Sequence, residues 1–196
     1  MTLIVVICLS IFCTSIAEFH EILRVEAVTP NMPGEPLDSP YLSNSVIESA
    51  VGLVLVEAGD RRNAMTVSCF SEAAHHPTTL WISVAPTTYS HGLIVETGKF
   101  SLAVLNHKQT SIALNCGTIS GRERDKCASL DLYQTPDGYL FLQRALASTA
   151  CSVRQHIDFV DHTLFVADIL HTDLDSRSAH LRHLLLSDLK GQTATL

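Results

Sequence analysis

From residue 50 onward the chain is a series of short apolar runs broken by turn residues: "AVGLVLVEA", "AMTVSCF", "TLWISVA", "FSLAVL", "YLFLQRALA", "ACSVRQHIDF" and "HTLFVADILH". Runs of this length, rich in Val, Ile, Leu and Phe, predict strands, and seven at this spacing predict an antiparallel barrel or sandwich. The first run is aliphatic at nearly every position, as a strand buried on both faces is. Two segments break the pattern. "YSHGLIVETG" and "LNHKQTSIALNCG" predict short helices between strands. The first ends at Gly98 as a C′ glycine and is capped by Ser90, with its first turn at His91. The expected fold class is mainly β with short helices.

Ahead of this region the composition changes. Residues 26 to 46, "EAVTPNMPGEPLDSPYLSNSV", gather Pro with Gly, Asn, Asp and Ser, which predicts an extended connector and a domain boundary near Ser45. The segment "LIVVICLSIFCTSIA" has the length of a signal-peptide core and is short for a transmembrane helix. Ser15-Ile16-Ala17 resembles a cleavage site, yet the first basic residue is Arg24. The expected organisation is an apolar segment over 1–17, a connector over 18–45, a folded domain over 46–185 and a tail over 186–196. A cytoplasmic location is expected, with export or anchoring through residues 1–17 as the alternative.

Composition narrows the function classes. With 46% hydrophobic and 17% charged residues in 196, the chain can bury a sizeable core. A formal net charge of −7 and no basic stripe argue against nucleic acid as a partner. The six cysteines form no CxxC pair and no Cys/His cluster, so separate buried thiols are expected, and no metal. His75 and His76 are adjacent and on a strand would point to opposite faces.

The stretch "NAMTVSCF", Asn63 to Phe70, fits neither a fully buried strand nor a half-solvated one. It sets an amide, two hydroxyls and a thiol among Ala, Met, Val and Phe. Small neutral polar groups on a β-prone segment suit a surface against which something polar and flat lies; the alternative is an edge strand whose hydroxyls meet water.

Four motifs then stand in register: "NAMTVSCF", "ISVAPTTYSHGLIVETGKFSLAVL", "CGTISGRERDK" and "DHTLFVADI". In order and interval they resemble the flavin reductase-like family, whose domain is an FMN-binding split barrel. The resemblance spans about residues 46 to 185 and is nearest to flavoredoxin, ferric-reductase-like members and the reductase partners of two-component monooxygenases.

The resemblance implies FMN as cofactor and NADH or NADPH as electron donor, with electrons passed to free flavin, ferric chelate or a partner protein such as a monooxygenase. It also implies a homodimer. It places the flavin against Asn63, Ala64, Met65 and Thr66, with Ser68 and Cys69 continuing the surface. Ser83, Thr88, Ser90 and the helix terminus would hold the phosphate, and Ser120, Arg122 and Lys126 would supply polar contacts from their loop. His162 is the implied catalytic residue, near the face where the nicotinamide stacks. Two positions depart from the family: Cys127 stands where an aromatic is common, and Val160 where a glycine is usual. The alternatives are a flavoredoxin-like module that holds FMN without a pyridine-nucleotide site, and a flavin-free binding protein.

Overall fold

The structure, a computed structural model, describes residues 47–190. The expectations for 1–17 and 18–45 lie outside the described residues. Among the described residues there are nine strands, all paired antiparallel, and two α-helices. In chain order they are β1 (Gly52–Ala58), β2 (Arg61–Val67), β3 (Phe70–His75), β4 (Thr78–Val84), α1 (Tyr89–Thr97), β5 (Lys99–Val104), α2 (Thr110–Thr118), β6 (Leu132–Gln134), β7 (Leu140–Leu142), β8 (Ala147–Asp158) and β9 (Thr163–Leu174).

Seven strands form one sheet in the order β2-β1-β5-β8-β9-β4-β3, and β6 pairs with β7 alone. The sheet's two outermost strands, β2 and β3, are consecutive in the chain and joined only by Ser68 and Cys69. Two extended residues reach about 7 Å. Such a link cannot cross an open seven-stranded sheet, so the sheet must curl until its edges meet. Ser83 of β4 donates its backbone N–H to the Cys69 carbonyl at 2.9 Å and fastens the seam. β2 pairs only with β1, which leaves its other edge free. This is a split barrel, mainly β with short helices, as the pattern and the resemblance lead one to expect.

Alternation along β1 divides the core in two. Val54 and Val56 join Val67, Leu80, Ile82, Val84, Phe100, Leu102, Cys151, Phe165 and Ala167 inside the barrel, with Leu93 and Ile94 of α1 against them. Leu53 and Leu55 face the other way, into a layer built from Ala64, Ala113, Leu114, Cys116, Cys127, Leu140, Leu142 and Leu184. Both faces of β1 are thus covered, which is why its sequence does not alternate. The packed chain also runs past residue 185. Leu186 and Leu189 are buried in this layer, and Leu186 donates its N–H to the Ser49 carbonyl at 2.9 Å, so the expected tail begins later.

The predicted helices form, with one correction. Gly98 takes a left-handed conformation (φ 64°) and donates its N–H to Ile94 at 2.8 Å, ending α1 as expected. The cap at the other end is Thr88, whose hydroxyl accepts from the His91 N–H; Ser90 lies within the helix and is fully buried. The run "AMTVSCF" is also not one strand, because the seam at Ser68–Cys69 divides it between β2 and β3. Among the described residues no helix is long and apolar enough to cross a membrane.

Candidate functional site

The side chains of β2 alternate between two neighbours. Those of 61 and 63 turn toward α1: Arg61 pairs with Glu96, and the Asn63 amide donates to the Ser90 hydroxyl at 2.8 Å. Those of 64 and 66 turn toward α2: Ala64 enters the layer with Ala113 and Leu114, and Thr66 donates its hydroxyl to the Ala113 carbonyl at 2.6 Å. The free edge of β2 therefore runs between two helices. An edge strand leaves every second N–H and C=O unpaired, so a flat polar ligand laid there meets backbone donors and acceptors in a row.

A groove of about 200 Å³ lies along this edge. Asn63 and Met65 line it with Thr87, Thr88 and Tyr89 at the start of α1, Cys116 to Ile119 at the end of α2, and Ser120, Gly121, Arg122 and Lys126. Gly121 permits the loop to approach. A Cβ there would stand 2.6 Å from Asn63 Cγ and 2.7 Å from Tyr89 Cδ1, distances no side chain tolerates. Arg122 pins the loop to the helix start by donating from Nη1 to the Thr87 carbonyl at 3.0 Å, with its guanidinium 5.6 Å from the Tyr89 ring centre.

Two buried polar residues of the groove lining have unmet bonding capacity. Asn63 is 2% exposed and its Oδ1 has no partner. Lys126 is 5% exposed, and Nζ donates to the Cys116 carbonyl at 2.8 Å, leaving two of its three N–H bonds for others. Burial pushes the Lys126 ammonium below the usual lysine range. The position is fixed by the turn Lys126–Ser129, capped by Asp125, whose carboxylate accepts from the Cys127 N–H at 2.9 Å. Arg62, hydrogen-bonded to Asp125 at 2.9 Å, holds that carboxyl below its ordinary range. Cys127 fills the space under the turn and packs in the same layer as Cys116. Burial raises the Cys116 thiol to about 11 and the Cys127 thiol to about 12.

Of the residues expected at a site, the groove brings together Asn63, Met65, Thr88, Ser120 and Lys126, along with Arg122. The others stand elsewhere. Ala64 is buried on the opposite face of β2, and the Thr66 hydroxyl is taken by α2, so from these two only backbone groups are left for a ligand. Ser68 and Cys69 form the seam, Cys69 exposed, contrary to the expectation that every thiol is buried. Ser83 is on β4 beside the seam, its N–H given to Cys69. Ser90 sits behind Asn63 and reaches the groove only through it.

His162 does not line the groove. Its Nδ1 lies 3.2 Å from Asp161 Oδ1 in the turn between β8 and β9. The histidine built into the fold is His91, in the first turn of α1, whose position alone gave no sign of it. Its Nε2 is 2.9 Å from Thr163 Oγ1, which donates to Asp158 at 2.8 Å. Since the single Thr163 proton goes to the carboxylate, His91 is the donor and its tautomer is fixed as Nε2–H. Burial lowers its affinity for a second proton. Thr87, Tyr89 and Gly121 were also missed, because each becomes a wall only when distant segments meet.

The family model described as the flavin reductase like domain matches residues 44–190. In fold the chain is similar to an FMN-binding protein from Thermus thermophilus with bound p-hydroxybenzaldehyde, at TM-score 0.65 and 23% identity, over 74% of this chain and 80% of that one. It is similar to the NADH:FAD oxidoreductase of Streptomyces globisporus C-1027, at TM-score 0.67 and 18% identity, over 76% and 88% of the two chains. It is also similar to the styrene monooxygenase flavin reductase of Pseudomonas putida S12, at TM-score 0.64 and 21% identity, over 74% and 89%.

Proposed function

The chain belongs to the flavin reductase like domain family, and on that premise we propose that it is a flavin-dependent reductase. It holds FMN in the groove along β2, takes reducing equivalents from NADH or NADPH, and passes electrons to free flavin, ferric chelate or a partner protein such as a monooxygenase. The observation that carries this is the donor set of the groove. A buried ammonium with unused N–H bonds and the first turn of a helix converge on one free strand edge. A flat ring with donors and acceptors on its edge, ending in an anionic tail, satisfies both.

Bound flavin supplies the hydride acceptance; the residues of the chain orient it, exclude water and hold charge. The exposed N–H and C=O groups of β2 align the ring edge, and Met65 offers an apolar wall. Thr88 and the α1 terminus suit a phosphate, since helix N–H groups there carry partial positive charge. Lys126 gains a counter-charge from any anion in the groove, which offsets the cost of its burial. A homodimer completes the reading, and the apolar turn after β8, with Phe159 59% and Val160 97% exposed, offers surface for a partner.

The test is spectroscopic. Purified protein mixed with FMN should retain it through gel filtration and show a shifted visible flavin band. Anaerobic addition of NADH or NADPH should then bleach that band. A protein that never retains flavin would refute the proposal. One observation favours the flavoredoxin-like alternative: His162, the residue expected to meet the nicotinamide, lies off the groove. A flavin band bleached by dithionite and untouched by either pyridine nucleotide would establish that alternative.

A further inference from the structure

Among the described residues Arg144 is the one non-glycine residue with a positive φ, at 61°. In this left-handed region a Cβ crowds the backbone, and glycine occupies it without that cost. The turn is held by two buried side chains: the Arg144 carbonyl accepts from Asn106 Nδ2 at 2.8 Å and from Ser178 Oγ at 3.0 Å. Strain that glycine would remove, yet that buried groups hold in place, is retained where the side chain has a task. That side chain lines a cleft of about 240 Å³ between β6, the link from β7 to β8 and the end of β9, which shares no residue with the groove along β2. Asp173 lines the cleft too, and one of its oxygens accepts from the Tyr133 hydroxyl. Neighbouring Asp175 and Arg177 are closed on each other by bonds of 2.9 and 3.0 Å. Among the described residues neither Arg144 nor Asp173 has an ion-pair partner, so opposite charges stand in one cleft without reaching each other. Leu174, 71% exposed, adds an apolar wall.

We propose that this cleft is a second binding site, for a small aliphatic α-amino acid whose carboxylate is taken by Arg144 and whose ammonium is taken by Asp173. A guanidinium meets a carboxylate with two parallel N–H bonds, and the Asp173 oxygen that Tyr133 leaves open accepts from an ammonium. An anion alone would bring its charge beside Asp173 and Asp175, and a cation alone would bring its charge beside Arg144 and Arg177. A zwitterion offsets both. The ligand's aliphatic side chain meets Leu174. This site stands apart from the flavin reading, and either can fail without the other.

The test is calorimetric titration of the full chain with L-leucine, with N-acetyl-L-leucine, which lacks the ammonium, and with L-leucinamide, which lacks the carboxylate. L-Leucine should bind, and each analogue should bind about ten- to a hundredfold more weakly, the scale of one lost hydrogen bond to a charged group. Arg144→Gly should weaken L-leucine by a similar factor. Its melting temperature without ligand should hold or rise, because glycine takes the left-handed turn without a Cβ. Asp173→Asn keeps an acceptor for Tyr133; it should weaken L-leucine and spare N-acetyl-L-leucine. Should Asp173→Asn not fold, the analogues and Arg144→Gly decide alone. No binding of L-leucine into the millimolar range would overturn the site, as would unchanged affinity in Arg144→Gly. N-acetyl-L-leucine bound as tightly as L-leucine would overturn the zwitterion in favour of a plain anion. A melting temperature that falls in Arg144→Gly would overturn the premise that the arginine is kept at a cost to the fold.

Discussion

Gly121 and Asn63 stand so close that a Cβ on residue 121 would fall 2.6 Å from the amide carbon of Asn63, and nearer still to its oxygen. The loop after α2 closes over the edge of β2 only because that Cβ is missing. Strand and loop are thereby held as two walls of one groove.

Gly121→Ala should consequently open the groove. Neither Asn63, buried and bonded to Ser90, nor Tyr89, stacked by Arg122, can withdraw freely, so the loop must shift. A forced shift of this kind costs about 1–3 kcal/mol. FMN affinity, followed by quenching of flavin fluorescence, should fall at least tenfold with a modest drop in melting temperature. Unaltered binding would mean that the loop does not touch the ligand.

Lys126→Met keeps the length of the side chain and removes the charge. A hydrogen bond to a charged group contributes about 1.5–3 kcal/mol, so FMN should bind roughly ten- to a hundredfold more weakly. Riboflavin, which lacks the phosphate, locates the charge. Equal losses for the two ligands put the ammonium at the ring, and a loss confined to FMN puts it at the phosphate. Titration calorimetry showing no loss for either would remove Lys126 from the site.

Three buried thiols make the fold sensitive to alkali. Burial raises Cys116 to about 11 and both Cys127 and Cys151 to about 12, while an unfolded cysteine titrates near 8.5. The folded state then holds protons that the unfolded state releases. Stability is fully present below about pH 8.5 and is lost as pH rises from there toward the folded values. Urea unfolding at pH 7 and pH 10 should show this fall, and Cys151→Ala should reduce it. The buried Lys126 works in the opposite sense, since its lowered value favours folding as pH rises. Stability that increased from pH 7 to pH 10 would show the lysine outweighing the thiols.

His162→Asn should leave FMN affinity unchanged, because the residue lies off the groove. If the imidazole nonetheless seats the nicotinamide, flavin reduction by NADH or NADPH should slow by roughly ten- to a thousandfold, the scale of one positioned donor. Stopped-flow reduction of the two proteins decides it. Equal rates would assign His162 to the turn it shares with Asp161.

The elements of this protein were legible locally. β1 declared its two covered faces by being aliphatic at nearly every position, α1 declared its end through Gly98, and the four motifs in order carried the split barrel. What the sequence could not decide depends on segments meeting across the fold. "AMTVSCF" has continuous β propensity, and only closure of the barrel breaks it at Ser68–Cys69, since the edges of a seven-stranded sheet must meet there. Thr88 and Ser90 are both good capping residues two positions apart; Asn63, 27 residues from Ser90, takes the serine into the wall and leaves the cap to threonine. Lys126 sits in a charged run that reads as solvated, yet the end of α2 offers it the Cys116 carbonyl and covers it. Propensity and pattern are properties of neighbouring residues, so they determine strands, turns and helix ends. A groove built from β2, the start of α1, the end of α2 and a glycine loop is a property of chain closure, and that only the tertiary structure determines.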